Sequence, residues 1–338
     1  MIRVLVLITI VILSATPGSA QCQSQIGALP TSDPTLGVDV QGDYAYVTLD
    51  SHGLAVIDIS NPAAPWQTGV FDTVGIARDV TVSGNFAYVA VGSLGLRVID
   101  VSNPAHPDEV GDYNTPGGVN GCVVRGNYAY VADNTEGMLV LNITNPSNPT
   151  FTGTVDTPGE ALAIAVEGNY AYIADGLEGL RVINISNPAS PYEVGDLPIS
   201  SEAKDIAVHG NHVFIAADAI GLRVIDVSTP SSPTEVGFFD SAQSASEGLA
   251  VDGRFAYVAE RPYGFRVIDL LDLSLPADAG LVDTNGLAMR VALSDNGLYA
   301  VVTDRSQGIK VFDIRGCVLI FEDGFESNST SAWSVTVP

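Results

Sequence analysis

Residues 168–188 carry the phrase Gly168-Asn169-Tyr170-Ala171-Tyr172-Ile173-Ala174-Asp175 and, after a short gap, Gly179-Leu180-Arg181-Val182-Ile183-Asn184-Ile185-Ser186-Asn187-Pro188. The phrase recurs along almost the whole chain. Its first glycine stands at Gly42, Gly84, Gly126, Gly168, Gly210, Gly253 and Gly297, in steps of 42, 42, 42, 42, 43 and 44 residues. A second glycine follows each by 11 residues, at Gly53, Gly95, Gly137, Gly179, Gly221, Gly264 and Gly308. A period in the low forties, dense in short strands, marks a propeller blade or a solenoid repeat.

The quoted unit reads as four strands. Residues 163–166 alternate toward a buried face. Gly168-Asn169 then makes a hairpin, since both residues accept positive φ cheaply. Residues 170–174 are aromatic and β-branched, as strands prefer. After a loop at 175–178 comes a third strand, 180–185, stopped by Asn187-Pro188 because proline has no N–H for a ladder. Residues 192–195 form the fourth. One such sheet cannot cover its own faces. Seven arranged radially cover each other, and a ring needs none of the caps of an open solenoid. The expected fold is all-β: a seven-bladed β-propeller of four-stranded antiparallel blades.

The two ends of the chain suggest how the ring closes. Gly69, Gly111, Gly153 and Gly195 each lie 15 residues before the next repeat glycine, and Gly27 lies 15 before Gly42. Residues 25–29 are therefore a fourth strand lacking its first three, while the last repeat stops after a third strand at 310–314. The N-terminal strand is expected to complete the last blade as a clasp. Cys22 and Cys317 map onto the equivalents of His106 and Pro104 in the second repeat, two positions apart. At ~3.3 Å per residue that separation is within disulfide reach. The bridge would close a loop of roughly 300 residues and contribute about 5 kcal/mol in the chain-entropy model. Cys122 falls on an apolar first-strand position and reads as a buried thiol.

Arg3, an apolar run over 4–13 and the small residues Gly18-Ser19-Ala20 form a secretory signal peptide over 1–20. The run is about half the ~20 residues a spanning helix needs. The expected organisation is this leader, a propeller over 21–316 and a tail over 317–338. It places the chain outside the cytoplasm, in the extracellular space, on the cell surface or in a periplasm, where disulfides persist. No transmembrane segment is expected in the mature chain. A formal charge of −25 repels phosphate backbones and anionic lipid, so nucleic acid is a poor partner. A protein, peptide or carbohydrate partner and a monomeric state remain the expectation.

The stretch Gly95-Leu96-Arg97-Val98-Ile99-Asp100-Val101-Ser102-Asn103-Pro104 and its six counterparts resemble the LVIVD repeat family over about residues 24–315. Ala55, Leu139 and Lys310 depart from the arginine, Asn142 and Asn184 from the aspartate, and Leu270-Leu271-Asp272 stands where Ser-Asn-Pro is expected. The resemblance implies an exported or cell-surface bacterial or archaeal propeller and no particular chemistry. The tail from Ile320 through Trp333 resembles a short ending found on diverse exported bacterial proteins, and also the opening of a jelly-roll domain.

Catalytic signals are missing. His52, His106, His209 and His212 show no zinc-binding spacing, and no nucleophile elbow, phosphate loop or dinucleotide fingerprint is present. No catalytic or metal-ligating residue is expected, and the chain does not read as an enzyme. Asp58, Asp100, Asp226, Asp269 and Asp313 recur once per repeat and should accept bonds from the turn that follows. Arg97, Arg181, Arg223, Arg266 and Lys310 should pack their stems between blades. Function is expected where repeats differ, at the channel mouth: Arg78, Asp79, Asn120, Glu160, Lys204, Asp205, Glu247 and Arg290. An acidic rim of Asp133, Glu136, Asp175, Glu178, Glu260 and Asp304 should surround them and suit a cation, a basic peptide or a sugar. The leading expectation is a noncatalytic binding or scaffold module. The alternatives are a hydrolase or lyase acting on extracellular polysaccharide, and a surface protein stabilised by calcium, the one cofactor considered.

Overall fold

A computed structural model describes residues 23–241 and 245–317. Seven four-stranded antiparallel sheets are present. Blades 1 to 6 occupy residues 35–71, 79–113, 121–155, 163–197, 205–239 and 245–282, each with its four strands in sequence order. The seventh combines residues 288–313 with Ser24–Leu29 at its outer edge. Helix among the described residues is confined to 315–317. The innermost strand of each blade touches that of the next, and Thr35–Gln41 lies against Ala288–Leu293, so the ring is closed.

The clasp forms as the glycine spacing predicts. Ser24–Leu29 runs antiparallel to Gly308–Asp313, with Ser24 opposite Asp313 and Leu29 opposite Ile309. Cys317 is fully buried between blades 6 and 7. Cys22 lies outside the described residues, as do the expected leader and the tail beyond 317.

Each blade is apolar on both faces because it is sandwiched by neighbours. In the second strand of blade 2, Ala87 and Val89 face blade 1 while Tyr88 and Ala90 face blade 3. The core is thus divided among the interfaces, each with its own buried cluster. Closure of the ring is one of them, with Val38, Val40 and Ala45 against Ala292, Val301 and Ile309. Each valine or isoleucine among them contributes about 1.5–3 kcal/mol by leaving water. Cys122 belongs to the interface of blades 2 and 3, where burial pushes its thiol pKa far up.

The two repeated glycines answer different needs. Gly168 turns its hairpin at φ +57, with open space where a Cβ would stand. Gly179 has φ +82, and a Cβ there would meet the Leu197 carbonyl and lie 2.6 Å from the Ile199 nitrogen.

The repeated aspartates hold the next turn, as their spacing suggests. Asp58 accepts from the Ser60 amide at 2.8 Å, and Asp100 from Ser102 at 2.8 Å. Asn142 and Asn184 accept from Thr144 and Ser186 at 2.9 and 3.0 Å, so an acceptor oxygen suffices and charge is optional. The arginine series has fixed partners of its own. Its heads are engaged by carboxylates: Arg97 with Asp112 at 3.0 Å, Arg223 with Asp240 at 2.6 Å, and Arg266 with Glu260 and Asp278 at 2.8 Å. The Arg266 guanidinium also lies over the Phe239 ring of the preceding blade, 5.3 Å from its centroid. These side chains sit beside the acidic fourth strand, whose carboxylates need counter-charges.

Candidate functional site

The ring of residues at the channel mouth is set by one backbone contact. The amides of Arg78, Asn120, Leu162 and Lys204 donate to the carbonyls of Ala90, Ala132, Ala174 and Ala216, at 2.8 to 2.9 Å. Each therefore stands just before its first strand, six residues ahead of the repeat glycine. In blade 7 an irregularity between Ala288 and Arg290 carries Arg290 opposite Thr303. Leu36, Arg78, Asn120, Leu162, Lys204, Glu247 and Arg290 line one cavity of about 210 Å³, together with Glu202 and Met289.

Of the expected mouth residues, Arg78, Asn120, Lys204, Glu247 and Arg290 meet here. Glu160 does not. It is exposed on the preceding loop, and the backbone register brings Leu162 to the mouth instead. Leu36, Glu202 and Met289 also went unidentified. Strict counting from the repeat glycine finds Leu36 and Leu162, which a search for charge passes over.

Polar contacts tie the mouth together across blades. Arg78 donates through Nη1 to Asn120 Oδ1, and Asn120 Nδ2 donates to the Ala161 carbonyl at 2.9 Å. Lys204 Nζ lies 2.6 Å from Glu202. Glu247 pairs with Arg261, and its carbonyl accepts from Arg290. Arg290 Nε is also 3.8 Å from Asp205 Oδ2. Arg78 has no such counter-ion: among the described residues, no carboxylate lies within 4.0 Å of its guanidinium.

Asp79 and Asp205 fall outside the mouth cavity, each one residue further into its strand, and form the throat with Asp39. Asp205 accepts from the Leu249 amide at 2.8 Å, and Asp39 from Val40 and Val82 at 2.8 and 2.7 Å. Gly37 and Gly121 make room for Asp79: a Cβ on either would lie 2.9 Å from one of its carboxylate oxygens. Burial pushes the Asp79 pKa up to about 7, against the pull of Arg290 and with help from Asp205 and Asp39. Burial raises those of Asp39 and Asp205 as well. It works against the Arg290 charge too, but Asp205, Asp79 and Glu247 outweigh it and hold that pKa up.

The expected acidic rim is largely internal. Asp133, Asp175, Glu260 and Asp304 have no exposed surface. Asp133 accepts from Thr115 Oγ1 at 2.5 Å and from the Gly117 and Gly118 amides at 3.1 and 2.9 Å. Asp175 does the same for Thr157 and Gly159, at 2.6 and 3.0 Å. The loop entering each first strand crosses the end of the second, and its buried amides require acceptors there. Glu136 and Glu178 are exposed, the latter 3.3 Å from Arg181.

His52 Nδ1 lies 2.8 Å from Asp33 and 3.3 Å from Ser51 Oγ. A hydroxyl and a carboxylate on the same ring nitrogen cannot form a proton relay, which needs one on each. Among the described residues, no group of three or more His, Cys, Asp or Glu is placed to hold a metal ion, and no helix is long and apolar enough to cross a membrane.

Two solved structures share the fold. The β-propeller domain of Cps50 (Swd1) from Myceliophteria thermophila is 11% identical with a TM-score of 0.70, and the computationally designed Ika8 protein is 12% identical with a TM-score of 0.63. Each alignment covers 86% of this chain and 99% of the other. At such identities the likeness concerns architecture alone. No curated protein matches the sequence. The family model of the LVIVD repeat matches six segments, 35–73, 74–115, 116–157, 158–197, 200–241 and 244–284. They correspond to blades 1 to 6, while the seventh blade, whose fourth strand comes from the N-terminus, carries no match. With well over half of its length in these repeats, the chain belongs to the LVIVD repeat family.

Proposed function

We propose that this propeller is a noncatalytic binding or scaffold module, exported to the cell surface or beyond, whose ligand docks at the channel mouth. One observation carries the reading. A single backbone position, repeated around the ring, presents Leu36, Arg78, Asn120, Leu162, Lys204 and Glu247 to one cavity. Positions that serve the fold stay alike from blade to blade, as the turn aspartates and hairpin glycines do. The cavity sets three apolar side chains, Leu36, Leu162 and Met289, among converging polar ones, and converging polar groups in a concavity fix a ligand's orientation. The Cys22–Cys317 bridge belongs to the same proposal, as a seal on the clasp suited to an exported protein. Calcium, if it contributes, would act on stability, testable by melting with and without chelator.

A hydrolase or lyase is the second reading, favoured by Asp79, whose pKa of about 7 suits a general acid. The discriminating experiment is hydrogen exchange on the exported protein in the presence of ligand candidates. Protection centred on Arg78, Asn120, Lys204 and Arg290 is the expected result. Protection confined to the outer strands or the opposite face would refute the mouth as the site. Turnover of a polysaccharide that Asp79→Asn abolishes would replace binding with catalysis.

A further inference from the structure

We infer that the mouth selects small organic monocarboxylates, with the Arg78 guanidinium as the anchor for the carboxylate and Leu36, Leu162 and Met289 as the seat for an apolar portion. This rests on the mouth being the ligand site and assigns it a chemical class.

Charge is the first argument. The chain has 14 Lys and Arg against 39 Asp and Glu, yet Arg78, Lys204 and Arg290 converge on one small cavity. Two of the three are answered locally, Lys204 by Glu202 and Arg290 by Asp205. Arg78 is not. Among the described residues its guanidinium donates to the neutral oxygen of Asn120, which steadies the guanidinium without neutralising it. A guanidinium has five N–H donors in a planar fork that matches a carboxylate. Asn120 is itself held by the Ala161 carbonyl, so the anchor is positioned from the adjoining blade.

The second argument concerns size and polarity. Leu36, Leu162 and Met289 are half-buried in the cavity wall. A volume of about 210 Å³ falls below the range for drug-sized ligands, so the occupant has few heavy atoms. Position in the channel supplies the third. Glu202 and Glu247 line the cavity itself, and both repel a second negative charge. A monoanion held at Arg78 is tolerated, whereas a phosphate dianion is penalised.

Calorimetric titration tests this with a matched set of probes: hexanoate, hexanamide, hexylammonium, hexyl phosphate, and an N-acetylated dipeptide with its C-terminus free or amidated. Hexanoate should bind and hexanamide and hexylammonium should bind at least about tenfold more weakly, the factor expected for losing one charge-assisted hydrogen bond. Hexyl phosphate should also be weaker than hexanoate. Arg78→Gln should weaken hexanoate by the same factor, with the melting temperature of the free protein unchanged because the side chain is exposed. Binding of the free dipeptide but not its amide would identify a peptide C-terminus as the source of the carboxylate, and preference for hexanoate a free acid. Carboxylate affinity indifferent to Arg78→Gln, or no hexanoate binding up to about 10 mM, overturns the inference. Tighter binding of hexylammonium, lost in Asp79→Asn, would overturn the anion class while leaving the mouth as the site. Hexanoate binding with hydrogen-exchange protection elsewhere would remove the mouth itself.

Discussion

Alanine at Gly168, Gly179 and Gly153 would place the same methyl group in three different situations within one repeat frame. At Gly168 the φ of +57 must be kept by an L-residue, but no atom lies within 4 Å of the new Cβ. The expected loss is the conformational cost alone, about 1–2 kcal/mol. At Gly179 the φ of +82 adds a similar cost, and the Cβ also overlaps the Leu197 carbonyl and lies 2.6 Å from Ile199 N and 3.1 Å from Pro198 C. Those contacts are all backbone, so relief requires the fourth strand to move away from Leu180, its partner at Leu197. Overpacking of this kind costs about 1–3 kcal/mol, which brings the total to roughly 2–5 kcal/mol. Gly153 has no positive φ, yet its Cβ would stand 2.5 Å from the Pro188 carbonyl of the next blade. Its loss of about 1–3 kcal/mol therefore belongs to blade–blade contact. Urea unfolding of the three variants measures the order directly, with the m-value checking that the unfolding unit is unchanged. Equal losses at Gly168 and Gly179 would refute the argument, since they would show that only backbone conformation matters at either glycine.

Asp79→Asn should reveal a buried proton: between a pKa of about 3.8 unfolded and about 7 folded, the native state holds a proton the unfolded chain has lost, so this site's contribution falls as pH rises and levels off above 7. The variant should be near neutral at about pH 4 and stabilising at about pH 8, by at most about 4 kcal/mol; no pH dependence in its stability difference would contradict the assignment. Asp133→Ala should cost about 3 kcal/mol by stranding the buried Gly118 amide and the half-buried Gly117 amide, while Glu136→Ala on the exposed side of the same loop should stay within about 0.5 kcal/mol. Equal effects in thermal or chemical melts would undo the distinction between bracket and rim. Cys22→Ser or Cys317→Ser should each lower stability by about 2–5 kcal/mol and Cys122→Ala by less than either. Mass spectrometry of the nonreduced protein settles the pairing, two free thiols at 22 and 317 being the adverse result.

The sequence revealed the fold because its signals repeat. Glycine spacing located the first hairpin of every blade, and the displaced Gly27 announced a strand that pairs with Gly308–Asp313. The site was only partly legible. Arg78, Asn120 and Lys204 stand out because they differ between repeats, whereas Leu162 is apolar and only register places it at the mouth in place of the charged Glu160. Asp133 and Asp175 looked like surface acid, since acceptors for buried loop amides carry no mark that separates them from solvated carboxylates. Only the path of the loop from Thr115 to Gly118 across the end of the second strand decides that.

The clasp determines how the molecule would respond to mechanical load. Ser24 lies opposite Asp313, so the two chain directions leave the seventh blade at the same end of one strand pair. Tension applied between them peels the pair apart one rung at a time, a far weaker geometry than sliding all rungs at once. A covalent link between Cys22 and Cys317 would sit just outside the first rung and take that tension before any hydrogen bond did. Oxidised, the ring would then transmit a pull without opening; reduced, the same pull would unzip Ser24–Leu29 and expose the flank of the last blade.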